Sequence, residues 1–241
     1  MRLLDLFCGA GGAAMGYARA GFDEIVGVDI EPQPNYPFTF VQADALEWSD
    51  FDGFDLIHAS PPCQAYSTIT PDQSRHERLI PVVRDLISAW PYVIENVEGA
   101  RKDLRAPTKL CGSSFGLEVR RHRYFESSFA LMSLSCAHGL QGRPIGVYGD
   151  HGQNDHEYRR PDGTRRGAKA VDVEHARAAM GMNWGEWGEI SQAIPPAYTE
   201  FIGEQFKASR SAIRGDAGAG TGTSRLATRP GIRGPLSNGR R

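Results

Sequence analysis

Four short β-rich runs in the first sixty residues restrict the fold of this chain more than any other feature. They are Arg2–Phe7, Glu24–Asp29, Phe38–Gln42 and Asp55–Ala59. Helical or turn-rich segments separate them, the pattern of a mostly parallel sheet covered by helices. A glycine-rich turn and a helix through about Ala20 follow the first run. Glu77–Trp90 places Leu79, Val82, Val83, Leu86 and Ile87 at helical spacing and reads as a crossover helix, with Tyr92–Ile94 as a fifth strand. Past Tyr124 the pattern weakens, and residues 124–170, rich in Gly, His, Asn and Arg, predict only short strands. Val173–Met180 and Pro196–Lys207 read as helices, the second with proline near its start. Ala208–Arg241 is Gly/Ala/Ser/Thr/Arg-rich, nearly lacks large apolar residues, and is expected to be disordered. No internal repeat is found.

A chain of 241 residues with 40% hydrophobic content can bury one good core and carry an extra lobe. No run approaches the roughly 20 apolar residues of a membrane span. Met1–Phe7 holds an acid within its apolar run and reads as a strand, not a signal peptide. Cys8, Cys63, Cys111 and Cys136 lie far apart, which argues for a reducing compartment, the cytoplasm. From Lys207 onward eight Lys or Arg face one acid, a net +7, leaving −9 on residues 1–206 for the overall −2. An acidic body with a basic tail is not the footprint of a strong nonspecific nucleic-acid binder, so any such contact rests on local basic patches.

Two constellations stand where an open α/β sheet binds ligands, beyond the carboxyl ends of its strands. Asp5-Leu-Phe-Cys-Gly-Ala-Gly-Gly12 follows the first strand and opens a helix. Its glycines permit close backbone approach, and a helix N-terminus favours an anionic group. Asp29 ends the second strand, placed for a ribose, and Asp44 follows the third, placed for an adenine amino group. A tight turn or a nicotinamide site would also use glycines. The spacing Gly9, Gly11, Gly12, Gly16 is not Gly-x-Gly-x-x-Gly and favours an adenosyl ligand. Ser60-Pro-Pro-Cys-Gln-Ala-Tyr-Ser67 follows the fourth strand. Two prolines stiffen it, and such a polar loop is a poor place to bury Cys63, which reads as a reactive thiol. Glu95-Asn96-Val97 ends the fifth strand and could bring Glu95 near Cys63, although taken alone it reads as an exposed loop acid. Arg121 and Arg123, alternate residues of Arg120-Arg-His-Arg-Tyr-Phe125, would share one face of an extended segment.

In this order the motifs resemble the DNA cytosine-5 methyltransferase family. Asp5–Gly12 is similar to its cofactor loop, Ser60–Ser67 to its Pro-Cys loop, Glu95–Val97 to its acid motif and Arg121-His-Arg123 to its Arg-x-Arg motif. Val173–Gly181 is similar to the ninth motif and Ile190–Pro196 to the tenth, with Gln192 where Asn is usual. The resemblance covers roughly residues 1–123 and 172–206. It implies a Rossmann-like S-adenosylmethionine-dependent methyltransferase fold with a small, abbreviated target-recognition region. The implied activity is methylation of cytosine carbon 5 in double-stranded DNA, on a base flipped from the stack. Cys63, Glu95, Arg121 and Arg123 would be catalytic. Phe7, Gly9, Gly11, Asp29, Ile30, Asp44, Pro61 and Gln192 would hold S-adenosylmethionine, and Ser60, Pro62, Gln64, Asn96 and Val97 would face the substrate.

The expected domains are therefore 1–123 with 172–206 as the catalytic unit, 124–171 as the recognition region and 207–241 as a basic tail. The interval 124–172 is short for the family, which suggests a brief or relaxed recognition sequence, or an auxiliary recognition protein. It offers Arg143, Arg159, Arg160, Arg165, Arg166 and Lys169 to DNA. It also holds Cys136, His138, His151 and His156, but Cys-x-His is tighter than usual zinc-ligand pairs, so these read as solvated loop side chains and no metal is assigned. The expectation is a monomeric enzyme without membrane contact, of a size suited to a phage or restriction-modification element and acting in the host cytoplasm. The same scaffold acting on RNA or a free pyrimidine nucleotide, or serving as a non-catalytic binding module, are the alternatives. A nicotinamide-dependent oxidoreductase is disfavoured by the glycine spacing.

Overall fold

A computed structural model describes residues 1–67, 70–149, 152 and 168–219, with side chains described as far as residue 212. The sheet is built from β1 (Arg2–Leu6), β2 (Glu24–Asp29), β3 (Thr39–Gln42), β4 (Leu56–Ala59), β5 (Tyr92–Asn96), β6 (Thr108–Leu110) and β7 (Arg123–Ser127). Their spatial order is β3-β2-β1-β4-β5-β7-β6. The first five are parallel, while β7 runs antiparallel to β5 and to β6. The chain winds from β1 outward through β2 and β3, then returns to β4 and winds the other way. The topological switch point thus lies between β1 and β4, and the crevice outside their carboxyl ends is where this architecture binds ligands.

The central strands read as continuous apolar runs because both faces are covered. On one face Leu3, Leu56 and Val93 pack with Tyr17 of α1 (Gly12–Arg19) and with Tyr198 and Ile202 of a long C-terminal helix. On the other, Leu4, Leu6, Ile57 and Ile94 pack against Val83 and Ile87 of α2 (Ile80–Ile87). The sheet's antiparallel side is anchored by a buried ion pair. Arg84 donates to Glu126 through Nε and Nη2, both at 2.6 Å, and Tyr92 Oη and the Arg105 amide also donate to that carboxylate. A pair this fully hydrogen-bonded offsets its desolvation, and losing one partner typically costs about 3–5 kcal/mol.

A smaller lobe has its own core. The two-residue strands β8 (Ile145–Gly146) and β9 (Ala168–Lys169) pair in parallel. With them pack α3 (Val173–Met180) and α4 (Trp187–Gln192), burying Val147, Ala170, Ala176, Met180 and Ile190. Asp172 caps α3, accepting from the His175 amide, and Gly181 ends it in the left-handed region.

Several expectations need adjustment. The crossover helix is shorter than Glu77–Trp90, since Arg78 turns aside to pair with Asp103 and Pro81 stands at the first turn. β5 extends two residues past Ile94. The catalytic sheet crosses the expected boundary at residue 123, because β7 belongs to it. The C-terminal helix α5 (Pro196–Ala219) continues twelve residues beyond Lys207, where a disordered tail was expected. Lys207 donates to the Ala20 carbonyl at 2.7 Å, and Arg210 pairs with Asp55. Those contacts give the extension a surface to lie on; residues 220–241 lie outside the described residues. Among the described residues no helix is long and apolar enough to cross a membrane.

Candidate active site

The turn after β1 sits at the switch point. Phe7 (φ 56°), Gly9 (φ 47°) and Gly11 (φ 81°) all adopt left-handed backbone, which glycine tolerates and Phe7 does not prefer. Asp29, at the end of β2, holds this turn: one carboxylate oxygen accepts from the Gly9 amide at 2.9 Å and the other from the Glu31 amide at 3.0 Å. Trp184 Nε1 donates to the Ala10 carbonyl at 2.7 Å from the small lobe. Around the same crevice Ile30 is 61% exposed, an unusual place for an isoleucine. Asp44 accepts from the Leu46 amide through one oxygen. Asp5 is buried, its Oδ1 has no partner, and burial holds its carboxyl well above the usual carboxylate range.

These features fit an adenosyl ligand. An open space lies where a Gly9 Cβ would stand, an exposed apolar side chain offers a face for a base, and two strand-end carboxylates can accept from hydroxyl or amino groups. Gln192 is exposed at the end of α4. Two residues on, the Ile194 carbonyl would lie 2.4 Å from a Cβ at Gly12, so this segment passes directly over the start of α1.

The second loop leaves β4 at the neighbouring position. Pro61 is buried, Pro62 and Gln64 are exposed, and Cys63 is half-buried. Asn96, fully buried at the end of β5, donates from Nδ2 to the Pro61 carbonyl at 2.8 Å and accepts from the Val97 amide. The Tyr66 and Ser67 amides both donate to the Cys63 carbonyl, closing the turn around the thiol. Burial raises the Cys63 thiol, Arg123 opposes that rise, and Glu95 adds to it.

Glu95 and Arg123 form the charged floor. Arg123 Nε stands 3.0 Å from Glu95 Oε1, close enough for an ion pair, yet no donor is aligned on that oxygen, which is buried without a hydrogen bond. Burial raises the Glu95 carboxyl above its ordinary range, against the lowering effects of Arg123, Arg121 and a hydrogen bond from Ser60. Behind it runs a polar chain absent from the sequence reading. Ser60 Oγ meets His58 Nε2 at 3.0 Å, and His58 Nδ1 meets Tyr17 Oη at 3.1 Å. His58 is fully buried, and burial alone drives its pKa down to about 3, so it is neutral. Its only trace in the sequence is one polar residue within Leu-Ile-His-Ala, two positions before Ser60.

Arg121 lies beside this floor, where its charge lowers both the Cys63 thiol and the Glu95 carboxyl, and it is also held by the backbone. At φ 33° it is strained, and its guanidinium donates to the carbonyls of Val147 at 2.9 Å and Ser191 at 2.6 Å. Burial drives its pKa down to about 9, with Arg123 adding to the effect, and Nε has no partner. Tyr198 Oη donates to the Arg121 carbonyl at 2.8 Å. Arg121 therefore clamps the small lobe to the sheet. Of the candidate DNA contacts, Lys169 lies over the rings of Tyr148 and Trp187, and Arg143 is exposed. Arg159, Arg160, Arg165, Arg166, His151 and His156 lie outside the described residues. His138, read as solvated, is half-buried and stacked on His122.

A seven-stranded sheet wound this way, with a glycine turn and a cysteine loop at its switch point, is the fold of the S-adenosylmethionine-dependent methyltransferases. Two solved structures share it. A DNA modification methyltransferase encoded within an E. coli prophage superposes with a TM-score of 0.60 at 17% identity, over 88% of this chain and 99% of that one. The S. pombe Dnmt2 methyltransferase superposes with a TM-score of 0.56 at 14% identity, over 87% and 99%. Within that class the chain belongs to the C-5 cytosine-specific DNA methylase family, whose model matches residues 1–106. The Type II methyltransferase M.HgiGI of Herpetosiphon aurantiacus is 30% identical over 122 residues, 42% of this chain and 94% of that protein. M.AgeI of Thalassovita gelatinovora (30% over 121 residues) and M.XorII of Xanthomonas oryzae pv. oryzae (33% over 118) align over 41% and 40% of this chain. The chain spans only 28% of the length of each of those two relatives.

Proposed function

We propose that this chain methylates carbon 5 of cytosine in double-stranded DNA through a covalent adduct of Cys63. The observation that carries the reading is the convergence of the Cys63 loop, Glu95 and Arg123 at the carboxyl ends of two adjacent strands, beside the glycine turn. The family match and the Type II relatives support DNA as the substrate.

S-Adenosylmethionine, when bound, supplies an electrophilic methyl group; Phe7, Gly9, Gly11, Asp29, Ile30, Asp44 and Pro61 would hold it, with Gln192 at the edge. Carbon 5 of cytosine is a poor nucleophile until the Cys63 thiolate adds to carbon 6 and pushes electron density onto it. Glu95 entering as the protonated acid, a state its burial favours, places a proton at ring N3 and stabilises the charge that attack produces. Glu95 Oε1, buried and lacking a donor, is the acceptor such a base would complete. Arg123 faces the same carboxyl and lowers the Cys63 thiol, so it supports both groups. Arg121 acts as a positioning residue through its clamp on Val147 and Ser191. Once carbon 5 carries the methyl group, loss of its proton to solvent water, departure of Cys63 and return of the N3 proton to Glu95 release 5-methylcytosine and the free thiolate. The base must leave the helix for this, at a cost of roughly a few kcal/mol. Ser60, Pro62, Gln64, Asn96 and Val97 would border it.

The test is trapping on duplex DNA containing 5-fluorocytosine with S-adenosylmethionine present. Fluorine blocks the final elimination, so the wild-type chain should form a denaturant-resistant protein–DNA adduct and Cys63→Ala none. Adduct on a fluorinated cytosine in RNA but not in DNA would replace the substrate while keeping the chemistry. An adduct that persists in Cys63→Ala would overturn the assignment of the nucleophile.

A further inference from the structure

Beyond the reaction site, two cysteines and two histidines from three separate segments gather on the antiparallel side of the sheet. Cys111 follows β6, His122 immediately precedes β7, and Cys136 and His138 lie in the loop after it. Their candidate ligand atoms all lie within 4.8 Å of one another. Cys111 Sγ is 3.3 Å from His138 Nε2, and Cys136 Sγ is 3.6 Å from His122 Nε2. A tetrahedral zinc ion with Zn–S of about 2.3 Å and Zn–N of about 2.0–2.1 Å holds its sulfur and nitrogen ligands about 3.6 Å apart. The two thiol–imidazole pairs therefore already stand near the separation such an ion imposes.

We infer that Cys111, His122, Cys136 and His138 form a structural zinc site. Two thiolates balance the charge of a divalent cation, and an N₂S₂ set of this kind selects zinc. The supporting contacts are also in place. Ser113 Oγ lies 3.0 Å from Cys111 Sγ and accepts from the Ala137 amide at 3.0 Å, while Ser114 Oγ donates to the Ser135 carbonyl. These bonds hold the loop carrying Cys136 and His138 against the segment carrying Cys111, as outer contacts orient ligands in known metal centres. The neighbours of His122 in sequence are Arg121 and Arg123, so the ion would fix the main chain from which the lobe clamp and the partner of Glu95 both project. The spacing hid this arrangement because its halves meet only across the β6–β7 pair. Among the described residues Cys136 and His138 group with Cys111 and His122, while His151 and His156 lie outside them.

The full chain, expressed with zinc in the medium and passed through a chelating column, should retain one zinc per chain by mass spectrometry. Cys136→Ser and His138→Ala should each reduce that content at least tenfold, while Cys63→Ser should leave it unchanged. Cys111 is fully buried and its serine variant risks misfolding, so the half-buried loop ligands carry the test, with folding checked by circular dichroism. Reconstitution with cobalt(II) should give the visible absorption of a tetrahedral thiolate site, and Cys136→Ser should lose most of the sulfur charge-transfer band. Folded chain that holds no metal and takes up no tetrahedral cobalt would overturn the site. So would a Cys111–Cys136 disulfide in place of the ion, or full zinc retention in the Cys136→Ser, His138→Ala double variant.

Discussion

Cys63 stands under two opposed influences, burial raising its thiol and the Arg123 guanidinium holding it down. In the free protein burial wins, so the thiol is mostly protonated at neutral pH and the thiolate fraction should climb through the alkaline range. Alkylation of Cys63 by iodoacetamide, followed by peptide mass spectrometry, should show a midpoint above that of an ordinary cysteine. Arg123→Ala should move the midpoint further up, and a midpoint at or below the ordinary value would contradict this balance. The residues of this floor differed in how much the sequence disclosed. Cys63 was legible because a polar, proline-stiffened loop at a strand end is a poor place to bury a thiol, whereas Glu95 and Asn96 were legible only by their place among the ordered motifs. Tyr17 and His58 were not, because a tyrosine in a helix and a histidine in an apolar strand look like core until the sheet aligns them behind Ser60. Arg121 was legible as an important residue but not as a clamp, since its partners are backbone carbonyls 26 and 70 positions away.

At the scale of elements, α1 and α5 cross in close backbone contact. A Cβ at Gly16 would stand 2.1 Å from the Pro196 carbonyl oxygen, and Thr199 Oγ1 donates to the Ala13 carbonyl at 2.8 Å across the same crossing. Neither partner there is a flexible side chain end that can swing aside freely. Gly16→Ala should thus destabilise the fold by about 1–3 kcal/mol through overpacking. Gly188, with open space where its Cβ would be and no positive φ, is the control: Gly188→Ala within α4 should be neutral or stabilise by up to about 1 kcal/mol. Chemical denaturation of the two variants would separate them, and equal stabilities would refute the argument. The strands β1, β2 and β4 were readable because the sheet buries most of their apolar runs, whereas β3, a half-exposed edge strand, was readable from its β-rich composition between turns. β7 was read as an extended segment only as far as Phe125, since the acid that follows, Glu126, reads as exposed until Arg84 is seen against it. β6 is three residues of an edge, and α4 six residues, too short for either periodicity to register. The extension of α5 was missed because its composition is poor in large apolar residues, while its hold comes from Lys207 and Arg210.

For the molecule as a whole, the buried groups answer acid in opposite directions: His58 costs stability as pH falls, whereas Asp5 and Glu95, raised by burial, return some of it. His58 is held neutral at about 3, whereas an unfolded histidine protonates near 6.5. At this residue the unfolded state therefore binds more protons throughout that window, and the His58 contribution to stability falls as pH drops across it, by on the order of 4 kcal/mol. Glu126 adds to this at lower pH. Burial would raise it, but Arg84 and the Arg105 amide hold it below its ordinary value, so its stabilisation is present above that value and lost as pH falls through the depressed one. Urea denaturation across pH 3 to 6.5 should show this slope, and His58→Asn should flatten it; an unchanged slope would show that His58 is not its source. A last consequence concerns time. The glycine turn is made first, but Trp184 and Thr199, which brace Ala10 and Ala13, lie 174 and 186 residues further along the chain. At about 5–20 residues per second, a ribosome needs roughly ten to forty seconds to travel that distance. Throughout that interval the nascent chain carries its first loop held by Asp29 but without these two braces, so the turn is completed only as the residues of α5 are made.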